Sequence, residues 1–170
     1  MKFSTRTMIY VALMIAIAFI LQQIKIIHMP QGGSVTPGGM IPLILISFRY
    51  GMKTGAIAGF LFGFMEMMID PFFVHPIQIL FDYPLPYMSM CLAGLFKDRR
   101  IISVTIAFVT RFACHVISGV VFFAEYAPEG MSPMMYSLAF NVTYLLPELL
   151  ISIAVVKFLP IDRLLNAMRE

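Results

Sequence analysis

Tryptophan is missing from this sequence, cysteine occurs twice, and charge is scarce. Asp, Glu, Lys and Arg make up 12% of the 170 residues, while 60% are hydrophobic. A soluble domain is about half apolar and a quarter charged, so the composition leaves no room for one. Cys91 and Cys114 both fall in apolar stretches without metal-ligand spacing, which makes them small core residues rather than a disulfide or a metal site. No HExxH, no GxSxG and no Cys/His cluster is present. GMKTG (51–55) echoes the end of a phosphate-binding loop but lacks its upstream glycine and the preceding buried strand; it reads as a cytoplasmic turn. The expectation is therefore a chain that is not an enzyme, with no catalytic residues, no cofactor, no metal and no nucleic-acid partner. Any ATP hydrolysis linked to it belongs to another chain.

What is present is apolar sequence in long runs. Lys2 and Arg6 precede the first run in the manner of a signal peptide, but no small-residue cleavage site follows and the run continues through Gln22, Gln23 and Lys25. This predicts a retained first helix. Six spans are legible, at about 6–28, 36–50, 52–69, 76–96, 101–123 and 133–158. The second is short, and so tilted or covered by its neighbours. The fold class expected is all-α: one polytopic membrane domain, residues 1–170, with six transmembrane helices in contact with membrane lipid.

Charge orients it. With the N-terminus inside, the cytoplasmic ends collect Lys2, Arg6, Arg49, Lys53, Lys97, Arg99, Arg100, Lys157, Arg163 and Arg169, ten of twelve basic residues. That is a strong positive-inside signal and places both termini in the cytoplasm. Glu66, Asp70, Asp82, Glu125 and Glu129 lie toward the other side. An outward acidic mouth suits a cationic ligand, although acids are also simply tolerated there.

Four features stand out inside the spans. Gly51, Gly55, Gly59 and Gly63 recur every four residues, a smooth stripe on which another helix can approach closely. In QILFDYPLPYM (78–88), Asp82 and Tyr83 precede Pro84 and Pro86, which cannot donate to the carbonyls of Leu80 and Asp82. With a helix starting at His75-Pro76, Asp82 lies about 9 Å below its outer end at ~1.5 Å rise per residue. Irregular backbone beside a carboxylate at that depth points to a cavity, with a kinked packing helix as the plainer alternative. The fifth span, RFACHVISGVVFF, aligns Arg111, His115, Gly119 and Phe123 on one stripe. The sixth sets Ser137, Asn141, Tyr144 and Glu148 on one face, with Tyr136 at its mouth. Tyr144 and Glu148 read better as interhelical hydrogen-bond partners, with Glu148 placed to neutralise Arg111. Carboxylate, aromatic faces, imidazole and amide together suit a small cationic or heteroaromatic solute taken from outside.

The order FRYGMKTGAIAGFLFG, HPIQILFDYPL, RFACHVISGVVFF and MYSLAFN resembles the thiamine-specific S components of energy-coupling factor (ECF) importers, the ThiT/YuaJ family, over nearly the whole chain. The resemblance implies a plasma-membrane protein of a prokaryote that captures thiamine at the outer face. Its partners would be a transmembrane coupling protein and two cytoplasmic ATPases. It implies that Asp82 takes the place of the family's binding acid, with Tyr83 beside it. His115, Tyr136 and Asn141 match the polar ligands, Arg111 the basic position and Gly119 an open backbone position. The family can sandwich the vitamin between tryptophans. This chain has none; Phe123 stands at one such position, and Phe72, Phe73 or Tyr126 are the candidates to compensate. Ala12 and Ala16, with Ala18 nearby, match the AxxxA surface by which S components dock on the coupling protein; the alternative is small-residue packing inside the bundle. Three other functional readings stay open: the same fold serving another cationic or heteroaromatic solute, a self-sufficient channel or proton-coupled carrier using Asp82, His115 and Glu148 as a relay, and a membrane scaffold whose polar residues are only structural.

Overall fold

A computed structural model describes residues 4–29, 33–96 and 98–168. Lys2, Lys97 and Arg169 of the charge count, and Pro30, Gln31 and Gly32 of the first loop, lie outside the described residues. Helix α1 spans Thr5–Gln23, its first turn capped by the Ser4 hydroxyl, which accepts from the Thr7 N–H. It ends earlier than the expected 28. Past it the chain enters a short antiparallel hairpin, β1 (Ile27–His28) with β2 (Ser34–Val35), Ile27 opposite Val35.

The second and third spans are one helix with a break. Helix α2 spans Ile41–Ile69 and is interrupted at Gly51, whose φ of 82° and ψ of 174° are open to glycine and strained for other residues. The expected turn at GMKTG is a sharp reversal at Gly51 with helix resuming immediately after it: a Cβ on Gly55 would touch the side chain of Ser47, eight residues back, which a continuous helix would hold about 12 Å away. The first segment begins at Ile41 rather than 36, and its ten residues reach about 15 Å, half of a bilayer core. Leu43 to Phe48 are buried without interruption, so the short span is covered by its neighbours on all sides.

Proline breaks the fourth span as its sequence requires. It consists of α3 (Pro76–Asp82), α4 (Pro84–Met88) and a 3-10 turn (Ser89–Gly94), with Tyr83 at the joint in a non-helical conformation. The His75 imidazole caps α3 by accepting from the Ile77 N–H. Helix α5 (Arg100–Phe122) and helix α6 (Pro133–Phe158) are long and unbroken apart from Pro147 within α6. A seventh helix, α7 (Ile161–Ala167), was not distinguished in the sequence. It tucks against the reversal of α2, where Tyr50 Oη and Arg49 Nε donate to the Met168 carbonyl at 2.9 and 3.2 Å. The Arg100–Asp162 ion pair joins it to α5.

The glycine stripe explains how α2 and the broken span fit together. A Cβ on Gly59 would meet the Tyr87 carbonyl and one on Gly63 the Tyr83 carbonyl, while Gly55 faces Ser47 and Cys91. Three of the four glycines thus admit backbone at contact distance. Gly51 does not belong to that stripe, since nothing lies within 4 Å of its Cβ position. Among the described residues four helices, α1, α2, α5 and α6, are long and apolar enough to cross a membrane. The architecture is that of an all-α membrane protein in which α2 reverses at Gly51 and the fourth span is broken by proline.

Candidate functional site

At the hairpin end of the bundle lies a cavity of about 280 Å³, at the lower edge of the volumes typical of small-molecule sites. Asp82, Tyr83, Arg111, His115, Gly119, Phe123, Tyr136, Asn141 and Phe72 all line it. The residues singled out on four separate stretches of sequence are brought to one place.

Asp82 ends α3, where the proline joint stops the helix. Gln78, one turn earlier and fully buried, donates from Nε2 to Asp82 Oδ2 at 2.5 Å and to the Phe72 carbonyl at 3.1 Å. The other carboxylate oxygen, Oδ1, stands 3.6 Å from His115 Nδ1 across the gap to α5. That is long for a charge-assisted hydrogen bond, which falls near 2.7–2.9 Å. His115 Nε2 is sealed within the protein without a partner, so it is the Nδ1 side, toward Asp82, that bears on the cavity. Asp82 Oδ1 and His115 Nδ1 therefore keep hydrogen-bonding capacity. Tyr83 acts as a strut: its hydroxyl donates to the Asp70 carbonyl at 2.7 Å and accepts from the Phe72 N–H at 2.8 Å, fixing the loop between α2 and α3.

Two expected site residues have other engagements. Arg111 is buried and donates from Nη1 to Glu148 Oε2 at 3.2 Å, with its guanidinium over the Tyr87 ring at 4.9 Å. The expected neutralisation by Glu148 is therefore what the structure contains, and Arg111 offers the cavity little free charge. Gly119 was read as open backbone on which a flat ring could lie. Gly119 does line the cavity, and a Cβ there would strike the Ser137 hydroxyl of α6, so the missing side chain also lets α5 and α6 pack closely. Asn141 is in between. Its Nδ2 donates to the Ser137 carbonyl at 2.9 Å and its Oδ1 accepts from Tyr144 Oη at 2.6 Å, leaving part of the amide for a ligand. Tyr144 was assigned to helix packing; it does bond within α6, and its ring also forms cavity wall, edge-on to His115.

In place of tryptophans, the mouth carries a phenylalanine pair. Phe72 and Phe123 stack with centroids 5.8 Å apart, and Tyr126 lies 5.9 Å from Phe123. Phe73 is largely exposed and takes no part in the lining. Hairpin residues His28, Gly33 and Ser34 close one side. Gln78 and Tyr87 are among the lining residues that the sequence did not single out, and Glu66, expected only as part of an acidic outer mouth, lines the cavity itself. Gln78 was legible in principle, sitting four residues before Asp82 on the same helical face. Among the described residues no group of three or more His, Cys, Asp or Glu could hold a metal.

Ala12 and Ala16 are elsewhere. Both are exposed on the side of α1 turned away from the bundle, whereas Ala18 is fully buried in the core. Inward packing is thus the role of Ala18 alone.

Comparison with known proteins gives a consistent result. The family described as Thiamine transporter protein (Thia_YuaJ) matches residues 8–166. Thiamine transporter ThiT of Bacillus subtilis (strain 168) is 38% identical over 181 residues, covering 94% of each chain. Thiamine transporter ThiT of Lacticaseibacillus paracasei is 26% identical over 123 residues, 61% of each. A solved structure described as native-SAD phasing for ThiT from Listeria monocytogenes shares the fold, with a TM-score of 0.79 at 22% identity over 95% of this chain and 93% of that one. This chain, a multi-pass protein of the cell membrane with a transport role rather than an enzymatic one, belongs to the thiamine transporter (Thia_YuaJ) family.

Proposed function

We propose that this chain is the substrate-binding subunit of an ECF importer, capturing thiamine from outside in the cavity at the hairpin end. Both termini then lie in the cytoplasm, as the basic residues Arg6, Arg49, Arg99, Arg100 and Lys157 favour. Import is driven by a transmembrane coupling protein and two ATPases. The observation that carries the reading is that Asp82, its Oδ1 3.6 Å from His115 Nδ1 and not held by a tight ion pair, lines the same cavity as the Phe72–Phe123 pair. A carboxylate under aromatic rings holds a delocalised cation such as a thiazolium, and imidazole with the Asn141 amide suits a nitrogen heterocycle.

Glu148 bears on the proton-relay alternative. It is held by Arg111 and by the Thr36 N–H and hydroxyl, so it reads as a structural anchor rather than a carrier of protons. Calorimetry of the purified chain with thiamine tests capture, and uptake into proteoliposomes tests transport. Saturable binding by the chain alone, with uptake only when coupling protein, ATPases and ATP are added, is the expected result. Uptake by the chain alone overturns the subunit reading in favour of a self-sufficient carrier.

A further inference from the structure

Glu66 is unlike the other charged groups around the cavity. It projects from the last turn of α2, is 6% exposed and lines the cavity. Its one hydrogen bond comes from a neutral group, Gln23 Nε2 of α1, to Oε1 at 3.1 Å. The second oxygen takes no hydrogen bond, yet is not among the sealed, unpartnered atoms, so it reaches open space. The cations nearby are already engaged: Arg111 with Glu148 at 3.2 Å and Lys25 with Asp70 at 2.6 Å. Asp82, the other unmatched carboxylate of the lining, has His115 and Gln78. Glu66 and Asp82 enter from different helices, and no hydrogen bond joins them. A buried carboxylate without a cation is unfavourable unless something supplies the missing donor. A glutamine would join α1 to α2 equally well, so the Gln23 contact does not account for a charge at this position.

We propose that Glu66 is a second ligand-facing carboxylate, accepting from an N–H donor at the end of the ligand away from its cationic ring. The cavity thereby selects a cation that also carries an amino-substituted heterocycle. The inference rests on the reading above: with thiamine, the thiazolium lies toward Asp82 and the aminopyrimidine amino group toward Glu66. An ionised carboxylate only accepts. An analogue bearing an oxo group where thiamine has the amino group sets acceptor against acceptor, and a site built to bond a donor rejects such a ligand strongly.

Calorimetry on the purified full-length chain with thiamine and with oxythiamine, the oxo analogue, tests this. The wild-type chain should prefer thiamine. Glu66→Gln should weaken thiamine at least tenfold and change oxythiamine less than threefold, because the new amide can donate to the oxo group. Asp82→Asn should weaken both ligands alike, since the thiazolium is common to them. Equal losses for both ligands in Glu66→Gln, or none, overturn the assignment. If that variant does not fold, Glu66→Asp carries the test: it keeps the charge and shortens its reach, so the preference for thiamine must shrink, and a preserved preference overturns the proposal. Failure of the wild-type chain to bind thiamine counts instead against the underlying reading of the cavity.

Discussion

Glu148 holds Arg111 at 3.2 Å through Oε2, while its Oε1 accepts from the Thr36 N–H at 3.0 Å and the Thr36 hydroxyl at 2.6 Å. One carboxylate on α6 thus fastens α5 and the segment that follows the hairpin. All three residues are buried. Removing one partner of such a pair strands the other charge, typically at a loss of about 3–5 kcal/mol. Glu148→Gln should therefore lower the melting temperature of the detergent-solubilised protein without ligand, well beyond any effect of Asp82→Asn. Wild-type melting would show that the pair does not hold the helices.

The opposite pattern is expected at Asp82. Its 3.6 Å separation from His115 is too long for a tight ion pair, so the carboxylate is positioned without being neutralised. Asp82→Asn preserves shape and removes charge. Losing a close, partly desolvated ion pair typically costs about 2–5 kcal/mol, so thiamine affinity measured by calorimetry should fall at least tenfold, ~1.4 kcal/mol. Unchanged affinity in the folded variant removes Asp82 from the site.

His115 and Asn141 should separate. His115 lines the cavity with its Nδ1 in no tight bond, 3.6 Å from Asp82, so His115→Ala should weaken binding by about 1–3 kcal/mol, the loss of one good hydrogen bond to a buried ligand, with little change in melting. Asn141 is bonded to Ser137 and Tyr144, and Asn141→Ala leaves the Tyr144 hydroxyl without its acceptor. Its melting temperature should drop along with its affinity. If both variants melt as wild type, the Asn141–Tyr144 bond contributes nothing to the fold.

These differences mark what the sequence could and could not reveal. Spacing placed Arg111, His115, Gly119 and Phe123 on one face, and all four do line the cavity, because helical periodicity fixes direction. It could not say that Ser137 would pack against the Cα of Gly119, since that depends on the separation of α5 and α6. The proline joint at Tyr83 was legible because a missing N–H is a local fact. The turn at Gly51 was legible too, although its tightness, with helix resuming at once and Gly55 brought against Ser47, was not. Glu66 was counted as one more outer acid; only the approach of α1 turns it inward onto Gln23.

The glycine stripe makes a separate prediction about how the cavity wall is held. Gly59 and Gly63 face the carbonyls of Tyr87 and Tyr83, groups of rigid backbone that cannot swing aside. Gly59→Ala or Gly63→Ala forces α2 away from the broken span, and overpacking of this kind costs about 1–3 kcal/mol. Because Tyr83 and Tyr87 line the cavity, thiamine affinity should fall with melting temperature. A control at Gly130, where nothing lies within 4 Å but φ is 84°, should show only the backbone strain and leave affinity intact. Affinity lost equally at Gly130 would mean that general destabilisation, not wall displacement, is being measured.

The last prediction separates capture from transport. Ala12 and Ala16 face away from the bundle on a helix that packs mainly on α2, with Met8, Ile9 and Leu13 exposed around them. In a membrane, where lipid tails are as apolar as leucine, close approach of helices through small residues supplies van der Waals contact that bulkier surfaces cannot. If this face meets the coupling protein, bulk on it should block docking and leave the cavity, formed largely by α2 to α6, unchanged. Ala12→Trp and Ala16→Trp are expected to bind thiamine as wild type in calorimetry and to lose ATP-driven uptake in the reconstituted complex. Each also introduces the chain's first tryptophan, whose emission should report a more buried environment in any wild-type-like complex that still forms. Full uptake by both variants would place the docking surface elsewhere. Loss of binding in the isolated chain would mean instead that α1 communicates with the cavity, through Gln23 and its bond to Glu66.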